Sequence, residues 1–295
     1  MRNADKIEQT VQFHRMVFVI HGGPLEAKSA LLATSLSEYY RPGKIVCRVM
    51  KPESQWGTIS PETRELFQQL QIDLADNRNE IDLSYPHGNK INAFAGIDEP
   101  AIFLDSDMLL MRPFSWHYNL SGDVAVKPAD LDTFTNGGGS WASVWQHFDL
   151  PIPPKNCIAT ISGARMRPYY NAGFIAVKNG DQFSEMWLDT AQQIDRNHRI
   201  INKRPWLDQI ALPVTIARLG WNTSLLSEEL NYPSHFTETT RLAPYFSHYH
   251  WPKKILASEV LLFATHRLMK KYPLLTRILS KYEEWNDVIS SGFLQ

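Results

Sequence analysis

The chain has 295 residues, of which 43% are hydrophobic and 21% are charged, and its formal net charge is -1. Such a chain can bury a substantial core, either as one large domain or as a core domain with a smaller appendage, and we favour the second arrangement. The near-neutral charge argues against a nucleic-acid partner, because nucleic-acid-binding proteins need a strongly basic surface.

Cysteine content and the start of the chain bear on its compartment. Only Cys47 and Cys157 are present, which argues against a disulfide scaffold or a cysteine-rich zinc site and indicates an intracellular protein. Residues 1–15 form a polar leader without the apolar stretch of a secretory signal, and the hydrophobic run at residues 16–20 is too short to cross a bilayer. We therefore expect a cytoplasmic protein that meets membranes only from the surface.

The first third of the chain alternates short hydrophobic runs with helical segments. This alternation predicts the α/β class, with a mostly parallel central sheet flanked by helices. The elements predicted here are a strand at residues 16–20, a helix at 25–40, a strand at 44–50 and a helix at 61–70.

Two segments before the next strand are candidates for phosphate binding. The turn His21-Gly22-Gly23 directly follows the first strand, and its glycines would let the backbone approach a nucleotide; a tight strand-to-helix turn is the alternative. Lys90 lies in a predicted helical segment, where it can meet a phosphate or lie on a solvated face.

The acidic segment Asp105-Ser106-Asp107 is the most informative motif. It follows residues 101–104, a predicted buried strand, and open α/β sheets bind ligands beyond the carboxyl ends of their strands. Side chains alternate along a strand, so Asp105 and Asp107 should emerge on one side while Ser106 points away. Two carboxylates this close favour a divalent cation such as Mg²⁺ or Mn²⁺ that also binds a diphosphate, although a simple turn is the alternative.

Residues 130–168 are irregular and rich in glycine, proline and aromatic residues. Long irregular loops in compact domains are often binding loops or lids. Trp141, Trp145 and His147 could present an apolar platform to a sugar, and packing beneath the loop is the favoured alternative.

Residues 253–281 interleave apolar residues with basic ones. Such a stretch can rest on an anionic membrane, and a helix packed on the core is the favoured alternative. The basic residues are Lys253, Lys254, Arg267, Lys270, Lys271, Arg277 and Lys281.

Four segments, taken in chain order, resemble nucleotide-sugar-dependent glycosyltransferases of the GT-A fold, most closely glycosyltransferase family 8 and its relatives. They are residues 101–113, 169–179, 206–212 and 246–254. The resemblance spans residues 16–254 and implies a GT-A domain there, followed by a helical C-terminal extension at residues 255–295.

The resemblance also implies a metal site. In such enzymes the Asp-x-Asp pair, here Asp105 and Asp107, binds Mn²⁺ or Mg²⁺, which holds the diphosphate of a donor such as a UDP-sugar. A histidine near the end of the domain adds a ligand; His248 matches it best and His250 is the second candidate. The two histidines are two residues apart and can lie on one face of a strand.

Further roles follow from the same resemblance. Asn171 is implied to bind a sugar hydroxyl, and Gly173 to leave room for the sugar ring, unless both only shape a bend. Asp208 and Gln209 are implied to face the sugar and the reacting carbon; capping of the following helix is the alternative.

A family lysine that contacts phosphate corresponds to Lys254. The pattern departs here, because Trp251 stands where relatives have glycine. The complete set predicted to bind the nucleotide is His21, Gly22, Gly23, Lys90, Asp105, Ser106, Asp107, Gly173 and Lys254.

The predicted function is metal-dependent transfer of a sugar from a nucleotide-diphosphate donor, and the resemblance implies a hexosyltransferase-like enzyme that retains anomeric configuration. The expected acceptor is a glycan or a lipid-linked saccharide such as a glycolipid, contacting residues 130–168 and 231–235. A sugar-nucleotide pyrophosphorylase fits less well, because the turn after the first strand lacks the Arg and Lys of that class. An aspartyl phosphatase fits less well, because Met108 and Leu109 follow the acidic pair where that class has Thr or Val. The alternative is a protein with the same fold that binds sugar nucleotides without turnover.

Overall fold

The computed structural model describes residues 10–12, 15–40, 43–115, 117–119, 122–237 and 244–292. The strands are β1 (Thr10–Gln12), β2 (Arg15–Ile20), β3 (Lys44–Lys51), β4 (Asp73–Arg78), β5 (Ala101–Leu104), β6 (Met108–Leu110), β7 (His117–Asn119), β8 (Val124–Pro128), β9 (Cys157–Ile158), β10 (Arg165–Met166), β11 (Tyr170–Val177), β12 (Thr223–Leu225) and β13 (Phe246–His248).

Helices flank these strands. The α-helices are α1 (Pro24–Tyr39), α2 (Glu53–Trp56), α3 (Pro61–Gln69), α4 (Thr133–Asn136), α5 (Trp141–His147), α6 (Gly180–Arg196), α7 (Leu207–Arg218), α8 (Pro252–Leu256), α9 (Glu259–Lys271), α10 (Pro273–Leu279) and α11 (Asn286–Ser290). Short 3-10 helices span Pro86–Lys90, Glu228–Leu230 and Glu283–Trp285.

A seven-stranded sheet in the order β12-β8-β11-β5-β2-β3-β4 forms the centre of the molecule. Strand β11 runs antiparallel to both neighbours, β8 and β5, and the remaining neighbouring pairs are parallel. The prediction of a mostly parallel sheet flanked by helices is therefore confirmed.

The sheet has a hydrophobic core on each face because side chains alternate along its buried strands. In β2, Met16, Phe18 and Ile20 point into the core beneath α1, whereas Val17 and Val19 point into the opposite core. Helices α6 and α7 cover the second face, with Trp187 fully buried between them and the sheet.

The predicted N-terminal elements occur within a residue of their expected ends. Residues at the helix starts explain these boundaries. Pro24 occupies the first turn of α1, where its missing N–H costs no hydrogen bond. Ser60 caps α3, its hydroxyl accepting a hydrogen bond from the Thr63 N–H. Lys90 lies at the end of a 3-10 helix rather than in an α-helix.

The region 130–168 contains α4, α5 and the antiparallel pair of β9 and β10. Trp141 and Trp145 are buried in the core, which confirms the packing alternative and shows that the exposed platform was wrong for these two rings. His147 is exposed and contacts the Asn197 side chain at 3.1 Å.

Helices α9 to α11 pack on the same core as α1 and β6. Lys271 pairs with Glu38 of α1, and Lys281 pairs with Glu62 of α3 at 2.5 Å. The helices of this stretch therefore pack on the core through their apolar residues, while Lys271 and Lys281 pair with acidic residues at its surface. None of the described helices is long and apolar enough to cross a membrane.

Candidate active site

The acidic segment forms the turn that joins β5 to β6. The Asp105 N–H donates to the Gly173 carbonyl at 2.8 Å, and the Met108 N–H closes the turn on the Asp105 carbonyl at 3.1 Å. The Ser106 hydroxyl donates to the Val19 carbonyl on β2. This anchor leaves both carboxylates facing one cavity, as predicted, although they lie in a turn and not on the strand itself.

His248 reaches Asp107 because β13 pairs with β6 directly after the acidic turn. In that pairing His248 lies opposite Met108. His248 Nε2 is 3.0 Å from Asp107 Oδ1 and 3.9 Å from Asp105 Oδ2. His250 Nδ1 is 3.9 Å from Asp107 Oδ2. Both histidines therefore meet the acidic segment.

The imidazoles of His248 and His250 stack, with ring centroids 4.1 Å apart and planes 11° apart. One ligand atom from each of Asp107, His248 and His250 lies within 4.8 Å of the others. Asp107 directly precedes β6, and His248 is the last residue of β13, the strand that pairs with β6, so sheet pairing rather than chain proximity brings these two side chains together.

A chain of side-chain amides orients His248. Asn231 Oδ1 lies 3.0 Å from His248 Nδ1, and Asn231 Nδ2 donates to Asn171 Oδ1 at 3.0 Å. Asn171 Nδ2 donates to Asp130 at 3.3 Å, and Lys127 pairs with Asp130 at 2.6 Å. The NH₂ group of Asn231 points to Asn171, so the Asn231 amide oxygen faces His248 and accepts the hydrogen bond from Nδ1–H.

This orientation fits a divalent cation. With the hydrogen on Nδ1, His248 Nε2 presents its lone pair to an Asp107 oxygen only 3.0 Å away. Two such acceptors repel each other unless a proton or a cation lies between them. Two ligands at ~2.1 Å from one ion and at right angles are themselves about 3 Å apart, which matches this separation.

Charge and burial set the protonation of this group. Burial would raise the pKa of Asp107, but positive charge at His248 outweighs it and holds that pKa well below its usual range, and a cation bound between the two groups would act in the same direction. Burial and the neighbouring His248 lower the pKa of His250 to about 2. Asp107 is therefore a carboxylate and His250 a neutral imidazole near pH 7, the forms in which each binds metal.

Lys90 links the acidic turn to α7. Its Nζ lies 2.7 and 2.9 Å from the two Asp105 oxygens and 3.3 Å from Asp208 Oδ2. Burial would lower the pKa of Lys90, but Asp105 and Asp208 raise it, so the ammonium stays charged. The side chain is only 12% exposed, which shows that the solvated-face alternative was wrong.

Asp208 is fully buried in the first turn of α7. Its Oδ1 accepts a hydrogen bond from the Tyr85 hydroxyl at 3.2 Å. Its Oδ2 has the ion pair with Lys90 but no aligned hydrogen bond among the described residues. The N-cap of α7 is Trp206, so the capping alternative for Asp208 was wrong.

A cavity of about 280 Å³ opens beside the acidic turn. One wall of the cavity comes from the connection between β2 and α1, and the other comes from the segment around Lys90. The lining includes Val19, His21, Leu25, Lys28, Pro86, His87, Asn89, Lys90, Phe103, Asp105, Ser106 and Asp107.

Comparisons with known proteins identify the domain. The family model of the Rhodobacterales glycosyltransferase domain matches residues 16–220, more than half of the chain. The chain belongs to this glycosyltransferase family. The comparison with curated proteins finds no match.

Solved structures similar to this glycosyltransferase show the GT-A fold. The galactosyltransferase LgtC, in complex with donor and acceptor sugar analogs, is 15% identical with a TM-score of 0.53 and coverage of 93% of this chain and 99% of LgtC. GlyE of Streptococcus pneumoniae TIGR4 is 15% identical with a TM-score of 0.53, covering 91% of this chain and 64% of GlyE. The bifunctional glycosyltransferase WbbM is 11% identical with a TM-score of 0.55, covering 92% of this chain and 52% of WbbM.

Sequence reasoning about the glycosyltransferase missed Lys28, and it placed Asn231 in the predicted acceptor segment 231–235 but not beside His248. Lys28 lines the cavity, and its Nζ donates to the His250 carbonyl at 2.7 Å. Leu25 and Lys28 lie three residues apart on α1, so helical periodicity counted from the glycine turn would have placed both on the cavity side. Lys254 lies half-buried in α8 and is not among the described residues that line this cavity; its phosphate role stays a prediction.

The glycines of the glycosyltransferase serve close packing. A Cβ on Gly22 would lie 2.8 Å from the Gly57 backbone, and Gly23 has a positive φ of 86° at the start of α1. A Cβ on Gly173 would lie 2.7 Å from the His248 ring. The tight-turn alternative therefore explains Gly22 and Gly23, and Gly173 leaves room for His248.

A smaller cavity of about 90 Å³ borders His250. Asn171 and Gln209 line it together with His250, so three predicted site residues converge here. The other lining residues are Ala129, Asp130, Leu131, Thr133, Trp206, His235 and Phe236.

Proposed function

We propose that this glycosyltransferase is metal-dependent and transfers a sugar from a UDP-sugar to a saccharide acceptor. The observation that carries the proposal is the convergence of His248 and His250 on the acidic turn, whose carboxylates, those of Asp105 and Asp107, line the larger cavity. Carboxylate and imidazole donors of this kind suit Mn²⁺, and Mg²⁺ is the second candidate.

The larger cavity is proposed to take the nucleoside diphosphate. Its walls carry the ammonium groups of Lys28 and Lys90 close to the two carboxylates. When bound, a divalent cation supplies a Lewis acid that offsets the negative charge of the departing diphosphate. Lys28 and Lys90 add positive charge on the same side, where electrostatic stabilisation of a leaving group is most effective.

The smaller cavity is proposed to take the transferred sugar and the edge of the acceptor. One N–H of the Asn171 amide donates a hydrogen bond to Asp130. Its second N–H can donate to a sugar hydroxyl. Gln209 lines this cavity and is proposed to face the reacting carbon. Asp208, its neighbour on the first turn of α7, is fully buried and is not among the described residues that line either cavity, so its role at the reacting carbon stays a prediction. Retention of configuration is proposed on the family resemblance.

The acceptor is proposed to be a glycan or a lipid-linked saccharide bound near residues 130–168 and 231–235. Asp130, Leu131 and Thr133 from the first segment and His235 from the second line the smaller cavity, which supports this placement. A cytoplasmic location, with peripheral membrane contact through residues 253–281, belongs to the same proposal.

Calorimetric titration with UDP, GDP, ADP and CDP, each with and without Mn²⁺, tests the donor site before any acceptor is known. We expect UDP to bind in a Mn²⁺-dependent manner. Absence of binding for every diphosphate under every metal condition would remove the basis of the proposal.

Turnover then separates an enzyme from a binding protein of the same fold. Asp107→Asn should abolish Mn²⁺-dependent release of UDP from the donor, because an amide is a poor ligand for the cation. Asp149→Asn is a matched control, since Asp149 is exposed and its positive φ of 52° suits asparagine. Nucleotide binding without UDP release by the wild type would favour the non-catalytic alternative.

A further inference from the structure

We propose that Trp251 and Phe236 form an aromatic platform on which a pyranose ring of the acceptor stacks. This inference rests on the proposed function and deepens it, because it says what holds the acceptor outside the smaller cavity. Neither ring belongs to the segments 130–168 and 231–235, where the acceptor is proposed to bind. Trp251 also stands where relatives have glycine, so this surface is a feature of this chain.

Exposed Phe and Trp side chains are rare in this protein. The described residues include three of them, Trp251 at 48%, Phe236 at 52% and Phe263 at 57% exposure. Single exposed rings are ordinary on a protein surface, but two that border one site are typical of a ligand-binding surface. Phe263 lies on α9 in the C-terminal extension, whereas the other two rings lie beside the smaller cavity.

Two histidines connect the rings of Trp251 and Phe236. The His235 ring centroid lies 4.1 Å from that of Phe236 and 6.3 Å from that of Trp251. The His250 ring centroid lies 3.8 Å from that of His235 and 5.4 Å from that of Trp251. Four aromatic side chains from two separate segments of the chain therefore form one contiguous cluster.

The backbone at Trp251 is fixed although the ring is exposed. Its N–H donates to the Tyr249 carbonyl at 2.6 Å, and its carbonyl accepts from the Lys254 N–H at 2.9 Å. The next residue, Pro252, begins α8. A fixed backbone lowers the entropy lost when a ligand binds, which favours the use of this ring as a binding surface.

The smaller cavity supplies the polar part of a sugar site. Phe236 lines this cavity together with Asn171, Gln209 and His250. Pockets that enclose a whole small molecule are typically about 300–1,000 Å³, so a cavity of about 90 Å³ holds only part of a saccharide. The rest of the saccharide would lie on the surface beside the cavity, where the Phe236 and Trp251 rings are exposed.

A pyranose matches this combination of groups. One face of such a ring carries C–H groups that can stack on an aromatic ring, while its edge carries hydroxyl groups that need hydrogen-bond partners. Lys253 Nζ lies 5.5 Å from the centroid of the Trp251 ring, so an ammonium donor lies close to the platform. A lipid surface would need no polar cavity beside the rings, which favours the saccharide.

Saturation-transfer difference NMR on the full chain tests the platform before the acceptor is known. The probes are methyl β-D-glucopyranoside and methyl β-D-galactopyranoside, each measured with and without Mn²⁺ and UDP. We expect saturation transfer to at least one glycoside, strongest at the C–H protons of one ring face, because those protons lie against the aromatic rings. Absence of transfer to both glycosides under every condition would overturn the inference.

Alanine variants test the two rings separately. Trp251→Ala and Phe236→Ala should each weaken binding of the glycoside by about fivefold or more, because each removes a stacked ring. Trp251→Phe should retain most of the affinity, and Phe263→Ala, at a similarly exposed ring, should leave it unchanged. Unchanged affinity in either Trp251→Ala or Phe236→Ala would count against the platform.

Calorimetric titration with UDP and Mn²⁺ controls for folding and for the donor site. We expect Trp251→Ala to bind UDP as the wild type does, because the ring faces the acceptor. Loss of UDP binding by a variant that unfolds at the wild-type temperature would place Trp251 at the donor and overturn the inference. If Trp251→Ala fails to fold, the result for Phe236→Ala decides.

Sedimentation with phosphatidylglycerol vesicles tests the membrane as the other occupant. We expect Trp251→Ala and Phe236→Ala to leave vesicle binding unchanged. Vesicle binding that depends on the two rings, together with glycoside binding that does not, would show a membrane contact and overturn the inference.

The outcomes separate this inference from the proposed function. Glycoside binding that depends on Trp251, in a protein that binds no nucleotide, would support the platform and overturn the transferase site. Mn²⁺-dependent UDP binding without glycoside binding would do the reverse. Absence of both would overturn both.

Discussion

His248 is held at both ring nitrogens. Asn231 accepts from Nδ1 at 3.0 Å, and Asp107 faces Nε2 at 3.0 Å. Asn231 is itself almost fully buried and tied to Asn171. A metal-binding histidine is usually oriented by a hydrogen bond from its second nitrogen, and here that partner is a neutral amide.

Asn231→Leu should weaken Mn²⁺ binding by about 10–100-fold, because the imidazole loses the acceptor that fixes its tautomer and direction. Asn231→Asp keeps an acceptor and should lose far less affinity. Calorimetric titration with Mn²⁺ measures both variants. Equal losses in the two would show that Asn231 acts only as a packing residue.

Lys90 is the positive charge between the half-buried carboxylate of Asp105 and the fully buried carboxylate of Asp208. Lys90→Met should lower the free energy of unfolding by about 3–5 kcal/mol, because it leaves these carboxylates unpaired. Urea denaturation measures the loss, and Lys155→Met at an exposed lysine is the control.

The double variant Lys90→Met with Asp208→Asn tests the cause of that loss. Removing the fully buried Asp208 charge should restore part of the lost stability. No recovery, or a loss in Lys90→Met no larger than in the control, would count against a structural role for the ion pair.

At the scale of elements, helix α10 belongs to the core beneath the sheet. Leu275 is fully buried there and packs with residues of α1 and α3. The nearby pair of Lys271 and Glu38 lies at the surface, with the lysine side chain 55% exposed. Apolar burial should therefore outweigh the ion pair in attaching this helix.

Leu275→Ala should lower the free energy of unfolding by about 2–5 kcal/mol through cavity formation. Lys271→Met should change it by at most about 1 kcal/mol, because exposed ion pairs contribute little. Urea denaturation of both variants gives the comparison. A larger effect at Lys271, the last residue of α9, would mean that charge at the α9–α10 junction, and not the core, attaches this part of the chain to α1.

At the scale of the whole molecule, the site joins distant parts of the chain. Asp107 and His248 are separated by 141 positions in the sequence, and Lys28 and His250 by 222. A ligand that needs all of these parts in place binds only the folded state. Its binding is therefore coupled to global stability.

Mn²⁺ at a hundred times its dissociation constant should raise the free energy of unfolding by about 2.7 kcal/mol, and chelation should reverse the gain. Thermal unfolding with and without Mn²⁺ measures it. Asp107→Asn should show no such shift, and an unchanged shift in that variant would place the stabilising metal elsewhere.

The sequence by itself determined the elements and the family. Apolar runs and helical spacing are local, so β2, α1, β3, α3 and β5 could be predicted close to their ends. The acidic pair and the ordered segments around it likewise identified the GT-A glycosyltransferase, because a short motif and its order are properties of the chain alone.

Only the tertiary structure decided which side chains meet. The Lys90 to Asp208 pair, the support of His248 by Asn231 and the anchor of His250 by Lys28 join residues from different elements. No local pattern records such contacts, because strand pairing and helix packing bring these residues together.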